Sequence, residues 1–384
     1  MSSNQSEKEP IIAQLQALLD ESVAAGVPGI SAAIQTSTGT QWDLSAGYAD
    51  IQTKAAIDKT TAFGIGSITK PFVAVLTLQL VQEGRLNLSD HAKSLLSADV
   101  LHGIQHAEEA TIAQLLSHTG GITSWEDDRQ WQKDGRGENI QPSKIWQKSE
   151  TLDYVRRAGE DTGLKPGPFH YANTNYTLLG LIIEEITKST AEAEIRRRIL
   201  EPLQMADTYF EGFEQPRVDR TPHRYHWSTP TFHQTAGFSP HHKPVRDDLV
   251  DVTGTNLSVS WTAGGMISTP TDLLKFANGL REGKLLNAQS MAALMDWQPA
   301  FENIDMGRGV SRLRDSGLPG TWVGHNGGVL GFTAAWWWDY EGTCAVSVLA
   351  NVGSSHAGDV PSHAARVAIK TKFLRLAAEL AALG

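Results

Sequence analysis

Residues 63–72 read FGIGSITKPF, and inside them Ser67 and Lys70 stand three positions apart. On a helix that spacing puts an alcohol and an amine one turn apart on one face, close enough to exchange a proton. A helix start also acts on the amine. The positive end of the helix dipole and a buried site both disfavour the ammonium form, so a neutral Lys70 can serve as base to a Ser67 nucleophile. Pro71 fits the same placement, because the first four N–H groups of a helix have no intrahelical acceptor. Gly64 and Gly66 let a backbone or a substrate come close, which leaves the Ser67 amide open to a developing oxyanion. Taken alone, Ser-x-x-Lys reads equally as a helix N-cap followed by a surface charge.

Two further stretches supply the missing context. In PGPFHYANTNY, Tyr171 is the one tyrosine of seven followed two places later by Asn. It sits in a Pro-Gly turn just before a helix, where side chains project into a cleft. A phenol beside a lysine is expected to have a lowered pKa and to relay protons, and the Asn173 amide can bond both that lysine and a substrate carbonyl. The duller alternative is a packed loop tyrosine followed by an asparagine turn. In GHNGGVLGF, a strand start poor in side chains can lay its backbone along a substrate at Gly327, and an N–H near Gly328 can act as a second oxyanion donor. His325 is expected to line the same cleft. By itself such a strand is more often a bulge.

These groups need elements to hold them. Pro10 followed by IIAQLQALLDESVAAG predicts a helix with proline at its start and Gly26 at its end. GISAAIQT and QWDLSAGYA read as a hairpin across TSTGT, and VAVLTLQLVQEG as a buried helix ending at Gly84. From about 85 to 255 the character changes. TIAQLLSHTGG reads as a helix with a Thr-x-x-Gln capping box and a glycine stop, with His118 bonding its last carbonyls, and NYTLLGLIIEEITK as another helix. Long irregular stretches lie at 122–150 and 205–258. After 259, TPTDLLKFANGL reads as a helix. TWVGHNGG, FTAAWWWDY and TCAVSVLANV read as strands of one antiparallel sheet, and HAARVAIKTKFLRLAAEL as a closing helix. The expected fold is α+β, a sheet built from both chain ends, 1–84 and 256–384, with a mostly helical segment, 85–255, inserted.

Trp336, Trp337 and Trp338 in a row cannot share one strand face. Trp125, Trp131, Trp146, Trp227 and Trp261, scattered through the irregular regions, suggest an aromatic-walled pocket for a bulky apolar group, with edge packing as the duller alternative. His223, His226, His233, His241 and His242 crowd into the second irregular stretch but lack a helical frame or cysteines for a metal site, and read as surface or cleft-lining residues. There is no Gly-x-Ser-x-Gly elbow and no His-Glu-x-x-His.

The 384 residues carry a net charge of −10, with 40% hydrophobic and 20% charged residues. That balance suits an ordinary globular chain and offers no basic block for a phosphate backbone, so nucleic acid is not an expected partner. No apolar run is long enough to span a bilayer, and the polar MSSNQSEKEP start carries no secretory h-region, so no membrane and a cytoplasmic home are expected. Cys344 is the only cysteine. It reads as a small buried strand residue and excludes an internal disulfide.

FGIGSITK, LLSHTGG, PGPFHYANTNYTLLG, WTAGGMISTPTDLLKF and GHNGGVLGF come in an order and spacing that resembles the penicillin-recognising serine hydrolases. The resemblance, from about residue 11 to 380, is to the branch holding class C β-lactamases, DD-carboxypeptidases, D-aminopeptidases, D-amino-acid amidases and related esterases. It implies a β-lactamase/transpeptidase-like fold with a cleft between the sheet domain and the helical one, and no metal or organic cofactor. It also implies an acyl-enzyme mechanism with Ser67 as nucleophile, Lys70 as base, and Tyr171 and Asn173 as second motif. The third motif departs from the family's commonest Lys-Thr-Gly or Lys-Ser-Gly: here it is His325-Asn326-Gly327. A permanent lysine charge suits a substrate carboxylate, whereas histidine is mostly neutral near pH 7. β-Lactam and DD-peptide substrates are thereby disfavoured. The similar His-x-Gly form in D-amino-acid amidases and some esterases of the family implies a small-molecule or short-peptide substrate, an amide, D-residue peptide or ester, without that carboxylate anchor. A DD-carboxypeptidase or class C β-lactamase, an acyltransferase using the same acyl-enzyme, and a non-catalytic binding module stay open as alternatives. The oligomeric state is not legible.

Overall fold

A computed structural model describes residues 2–157, 159–216, 220–314, 317–360, 364, 367–368 and 372–384. Its centre is a nine-stranded sheet, antiparallel throughout, that interleaves the two chain ends. From one edge the order is Gln298–Phe301, Ile304–Met306, Ser311–Leu313, Trp322–Val329, Phe332–Asp339, Cys344–Ala350, Gly29–Thr36, Gln41–Asp50 and Ala55–Ala56. The register Ile30↔Ala350 to Thr36↔Cys344 joins the first strand of the chain to one of its last.

The middle strands are buried on both faces, which is why their sequences run apolar instead of alternating. The three tryptophans divide between those faces. Trp336 and Trp338 enter the core that holds Phe72 and Phe276, while Trp337 enters the one that holds Leu19, Ile34 and Leu374. Helices Ser2–Ala24 and Phe373–Ala382 cover the second face and Pro270–Arg281 packs on the first. Cys344 is fully buried in its strand.

Behind the first face, helix Thr69–Gln82 is apolar almost all round and is buried accordingly, against Asn173–Thr187, Trp261–Gly264 and Ala288–Leu294. Two small sheets tie the segments together. Tyr209–Phe210 pairs with Met266–Ser268, which also pairs with Phe63–Gly64, and Val352–Gly353 pairs with Tyr225–Trp227. No described helix is long and apolar enough to cross a membrane.

Several local expectations change. The first helix begins at Ser2 and carries Pro10 inside it; one lost N–H donor does not end the helix. Ile112–Ser117 has both halves of the predicted capping box, but its stop is His118 in the left-handed region (φ 58°), not a glycine. The irregular stretches contain helices Arg129–Arg136 and Pro230–Ala236 and short strands at 225–227, 243–246 and 249–251. Of the predicted closing helix, 363, 365–366 and 369–371 lie outside the described residues.

Candidate active site

Ser67 sits in a 3-10 turn, Gly66–Ile68, that runs directly into helix Thr69–Gln82, so Lys70 falls in the first turn of that helix. Its side chain is fully buried. The Lys70 Nζ lies 2.9 Å from Ser67 Oγ, 2.7 Å from Asn173 Oδ1 and 2.7 Å from the Ala263 carbonyl. Two of these three partners are oxygens that can only accept. A neutral amine has two N–H donors and one lone pair, so the two acceptors hold its hydrogens and its lone pair is left for the serine hydroxyl. Burial disfavours the ammonium and lowers the Lys70 pKa to about 7, against the opposing pull of the Glu126 carboxylate.

The backbone around Ser67 explains the glycines. Gly66 is held at φ +52°, and a Cβ there would stand 2.6 Å from the Gly328 nitrogen. A Cβ on Gly327 would stand 1.9 Å from the Ile65 carbonyl oxygen and 3.2 Å from the Ser67 nitrogen. The strand Trp322–Val329 therefore lies backbone against backbone on the Ser67 turn, an approach only glycine permits. It can do so because its neighbour Ser311–Leu313 pairs with it only as far as Gly324, leaving the edge from His325 onward uncovered by that strand. Ser67, Gly328 and Asn173 line one small cleft together with Glu126 and Trp125.

Tyr171 comes from the turn before helix Asn173–Thr187. Its hydroxyl is within hydrogen-bonding reach of Ser67, and Lys70 Nζ lies 4.9 Å from its ring centre. The expected lowering of its pKa does not occur. Burial, reinforced by the Glu126 charge, outweighs the Ser67 hydrogen bond and pushes the phenol well above its usual range, so Tyr171 is a neutral hydroxyl. Its ring stacks on His118, centroids 4.3 Å apart. His118 does not bond the last helix carbonyls as expected. Its Nδ1 accepts from the Ala172 N–H at 3.1 Å, its backbone oxygen accepts from the His170 N–H at 2.8 Å, and its ring forms the floor beneath Tyr171.

His325 is buried beside the cleft, its ring 6.4 Å from that of Tyr171. Its Nδ1 meets the Asn326 carbonyl at 2.5 Å, and since a carbonyl only accepts, Nδ1 carries the proton. Burial and the nearby Lys70 hold the ring neutral, with a pKa lowered to about 4. Its Nε2 is a buried lone pair with no hydrogen-bond partner among the described residues.

Asn173 donates its backbone N–H to Ser124 Oγ at 3.1 Å and its amide nitrogen to Glu126 Oε2. Glu126 in turn accepts from Arg136 in a largely buried ion pair. Sequence reasoning found neither Glu126 nor the Ala263 carbonyl. Glu126 stands in an irregular stretch with no motif around it, and a backbone oxygen leaves no trace in residue type. The tryptophan pocket is also absent. Trp125, Trp131, Trp146, Trp227 and Trp261 are all at most 6% exposed, and of them only Trp125 reaches the cleft. Among the described residues no three His, Cys, Asp or Glu side chains converge as a metal site would require.

Comparison with known proteins adds lineage to this geometry. The family profile described as Beta-lactamase matches residues 15–369. "Protein flp" of Staphylococcus aureus (strain MW2) is 33% identical over 202 residues, which is 52% of this chain but only 38% of that protein. Among solved structures, the D-amino acid amidase from Ochrobactrum anthropi SV3 complexed with D-phenylalanine superposes with a TM-score of 0.79 at 25% identity, over 97% of this chain and 98% of that one. The D-stereospecific amidohydrolase from Streptomyces sp. gives 0.74 at 26%, over 89% and 94%.

Proposed function

The chain belongs to the beta-lactamase family, and from that premise we propose that it is a serine hydrolase working through an acyl-enzyme on an amide, a D-residue peptide or an ester. The fold is β-lactamase/transpeptidase-like, mixed α and β, with the antiparallel sheet described above. In this reading Ser67 Oγ attacks the substrate carbonyl carbon while its proton passes to the lone pair of Lys70 Nζ. The oxyanion that forms is met by the amides of Ser67 and Gly328. Tyr171, whose hydroxyl stays neutral, hands a proton to the leaving amine or alcohol and is resupplied by Lys70. The acyl group remains on Ser67 until water repeats the sequence and frees the acid.

One observation carries the reading: the 2.9 Å contact between Ser67 and a fully buried lysine whose other two contacts are acceptors. His325 supports the choice of substrate. A neutral ring offers a carboxylate no charge to bind. The likeness to a D-amino acid amidase and a D-stereospecific amidohydrolase makes D-configured amides the first substrates to try. A cytoplasmic setting belongs to the same proposal. The test is a side-by-side assay of D- and L-amino-acid amides, short-chain nitrophenyl esters and a chromogenic cephalosporin. Amide or ester turnover is expected, with Ser67→Ala folded and slower by several orders of magnitude. Wild-type-like turnover by Ser67→Ala ends the proposal.

A further inference from the structure

Hydrogen bonds lead away from Lys70 on the side opposite Ser67 and end in charge. Lys70 Nζ donates to Asn173 Oδ1, the Asn173 amide nitrogen donates to Glu126 Oε2, and Arg136 donates to Glu126 Oε1. Behind them Arg136 Nη1 lies 3.2 Å from His356 Nδ1 and stacks over Trp131, and Gln132 Nε2 bonds the Glu126 backbone oxygen at 3.1 Å. The turn Trp125–Asp127 is strapped to the start of helix Asn173–Thr187, the Trp125 N–H meeting Thr174 Oγ1 and its Nε1 meeting Thr177 Oγ1, each at 3.1 Å. Glu126 cannot drift from Asn173 without breaking those bonds.

We propose that Glu126 is a positioning residue for the Lys70 base: by taking the amide nitrogen of Asn173 it fixes that amide with only its oxygen facing Lys70, which keeps the amine lone pair turned toward Ser67. An asparagine amide is nearly symmetric in shape and can sit either way round. Reversed, its NH₂ would donate to the amine, occupy the lone pair that the Ser67 proton needs, and leave one amine hydrogen without an acceptor. A carboxylate has no donor, so beside it only one orientation is satisfied. Arg136 keeps that carboxylate ionised in a mostly buried place and holds its second oxygen. The inference rests on the roles proposed above for Ser67 and Lys70.

Glu126 has a second effect, which separates positioning from mere structural support. Its charge favours the ammonium form of Lys70 and so opposes the effect of burial. The other titratable groups facing Lys70 are His118, His325, Tyr171 and Tyr176. Both histidines are neutral well below pH 6.5, and both phenols are held protonated. Around Glu126 stand Arg136, His356, neutral above about pH 4, and the neighbouring Asp127, which faces His170. The acid limb near neutrality is assigned to Lys70 because its amine is the titrating group that touches Ser67 Oγ.

The experiment is the rate of fluorophosphonate labelling, located on Ser67 by mass spectrometry, measured across about pH 5 to 9. For the wild type the rate is expected to rise through an acid limb near pH 7 to a plateau. Glu126→Gln is expected to lower the plateau roughly 10- to 100-fold, because its amide accepts either orientation of Asn173, and to move the limb down by about one pH unit, because the charge is gone. Should Glu126→Gln fail to fold, Glu126→Asp serves instead: it keeps the charge but falls short of Asn173, so the plateau drops while the limb stays. A folded variant with the wild-type plateau and limb overturns the inference and leaves the catalytic reading intact. A wild type that never takes label on Ser67 overturns both.

Discussion

Two regions of this chain look equally dense in chemistry when read as text: the segment around Ser67 and the histidine-rich stretch from 223 to 242. In space they part company. Around Ser67, a 3-10 turn, a helix start, a Pro-Gly turn, a glycine strand and an acidic turn converge from across the whole chain, and the groups they bring touch. In the other stretch five histidines close in sequence face different ways. His223 pairs with Asp251, His226 is buried against the Ser355 carbonyl, His233 meets Ser228, His241 is exposed, and His242 is wedged near Phe232 and Phe238. Proximity along the chain predicts little about chemistry. Convergence of distant elements on one buried group is what lowers the Lys70 pKa to about 7.

The contrast can be tested from its strongest side first. Tyr171→Phe removes one oxygen from the converging set and preserves the His118 stacking; turnover is expected to fall about 10²- to 10⁴-fold with little change in melting temperature. If turnover survives within a few-fold, Tyr171 moves no proton. Gly327→Ala asks whether backbone contact matters as much as side chains. Its methyl would press on the Ile65 oxygen, so the strand must move off the Ser67 turn. A loss of roughly 10²-fold in turnover is expected, the scale of one oxyanion donor. An alanine variant of wild-type activity and stability would show the contact to be incidental. At the small end, His223→Asn tests the scattered region. The pair with Asp251 is partly exposed, so stability should change by less than about 1 kcal/mol and turnover not at all. A large fall in turnover there would mean the two regions are coupled.

Much of this was legible because it is local. The helices Thr69–Gln82, Asn173–Thr187 and Pro270–Arg281, the Thr111 capping box, and the strands from 322 to 350 follow from apolar periodicity and caps. The two-sided placement of the three tryptophans follows from the pleat alone. What escaped notice was non-local. His118 looks like a helix-end histidine because its residue type and position say so; that it supports Tyr171 depends on a segment about fifty residues away. Of the tryptophans of the irregular stretches, read as pocket walls, Trp125 alone reaches the cleft and the others are buried away from it, since nothing in sequence tells a buried indole from a cleft-lining one.

Residue order alone determined which side chains were available for chemistry, and put Ser67 and Lys70 one helical turn apart, because that spacing is a property of the backbone helix itself. Tertiary structure decided how those groups ionise and which way they face. The depressed Lys70 pKa, the raised Tyr171 pKa and the single orientation of the Asn173 amide all depend on burial and on partners brought in from elsewhere in the chain. Desolvation and hydrogen-bond direction exist only once distant elements have closed around a group.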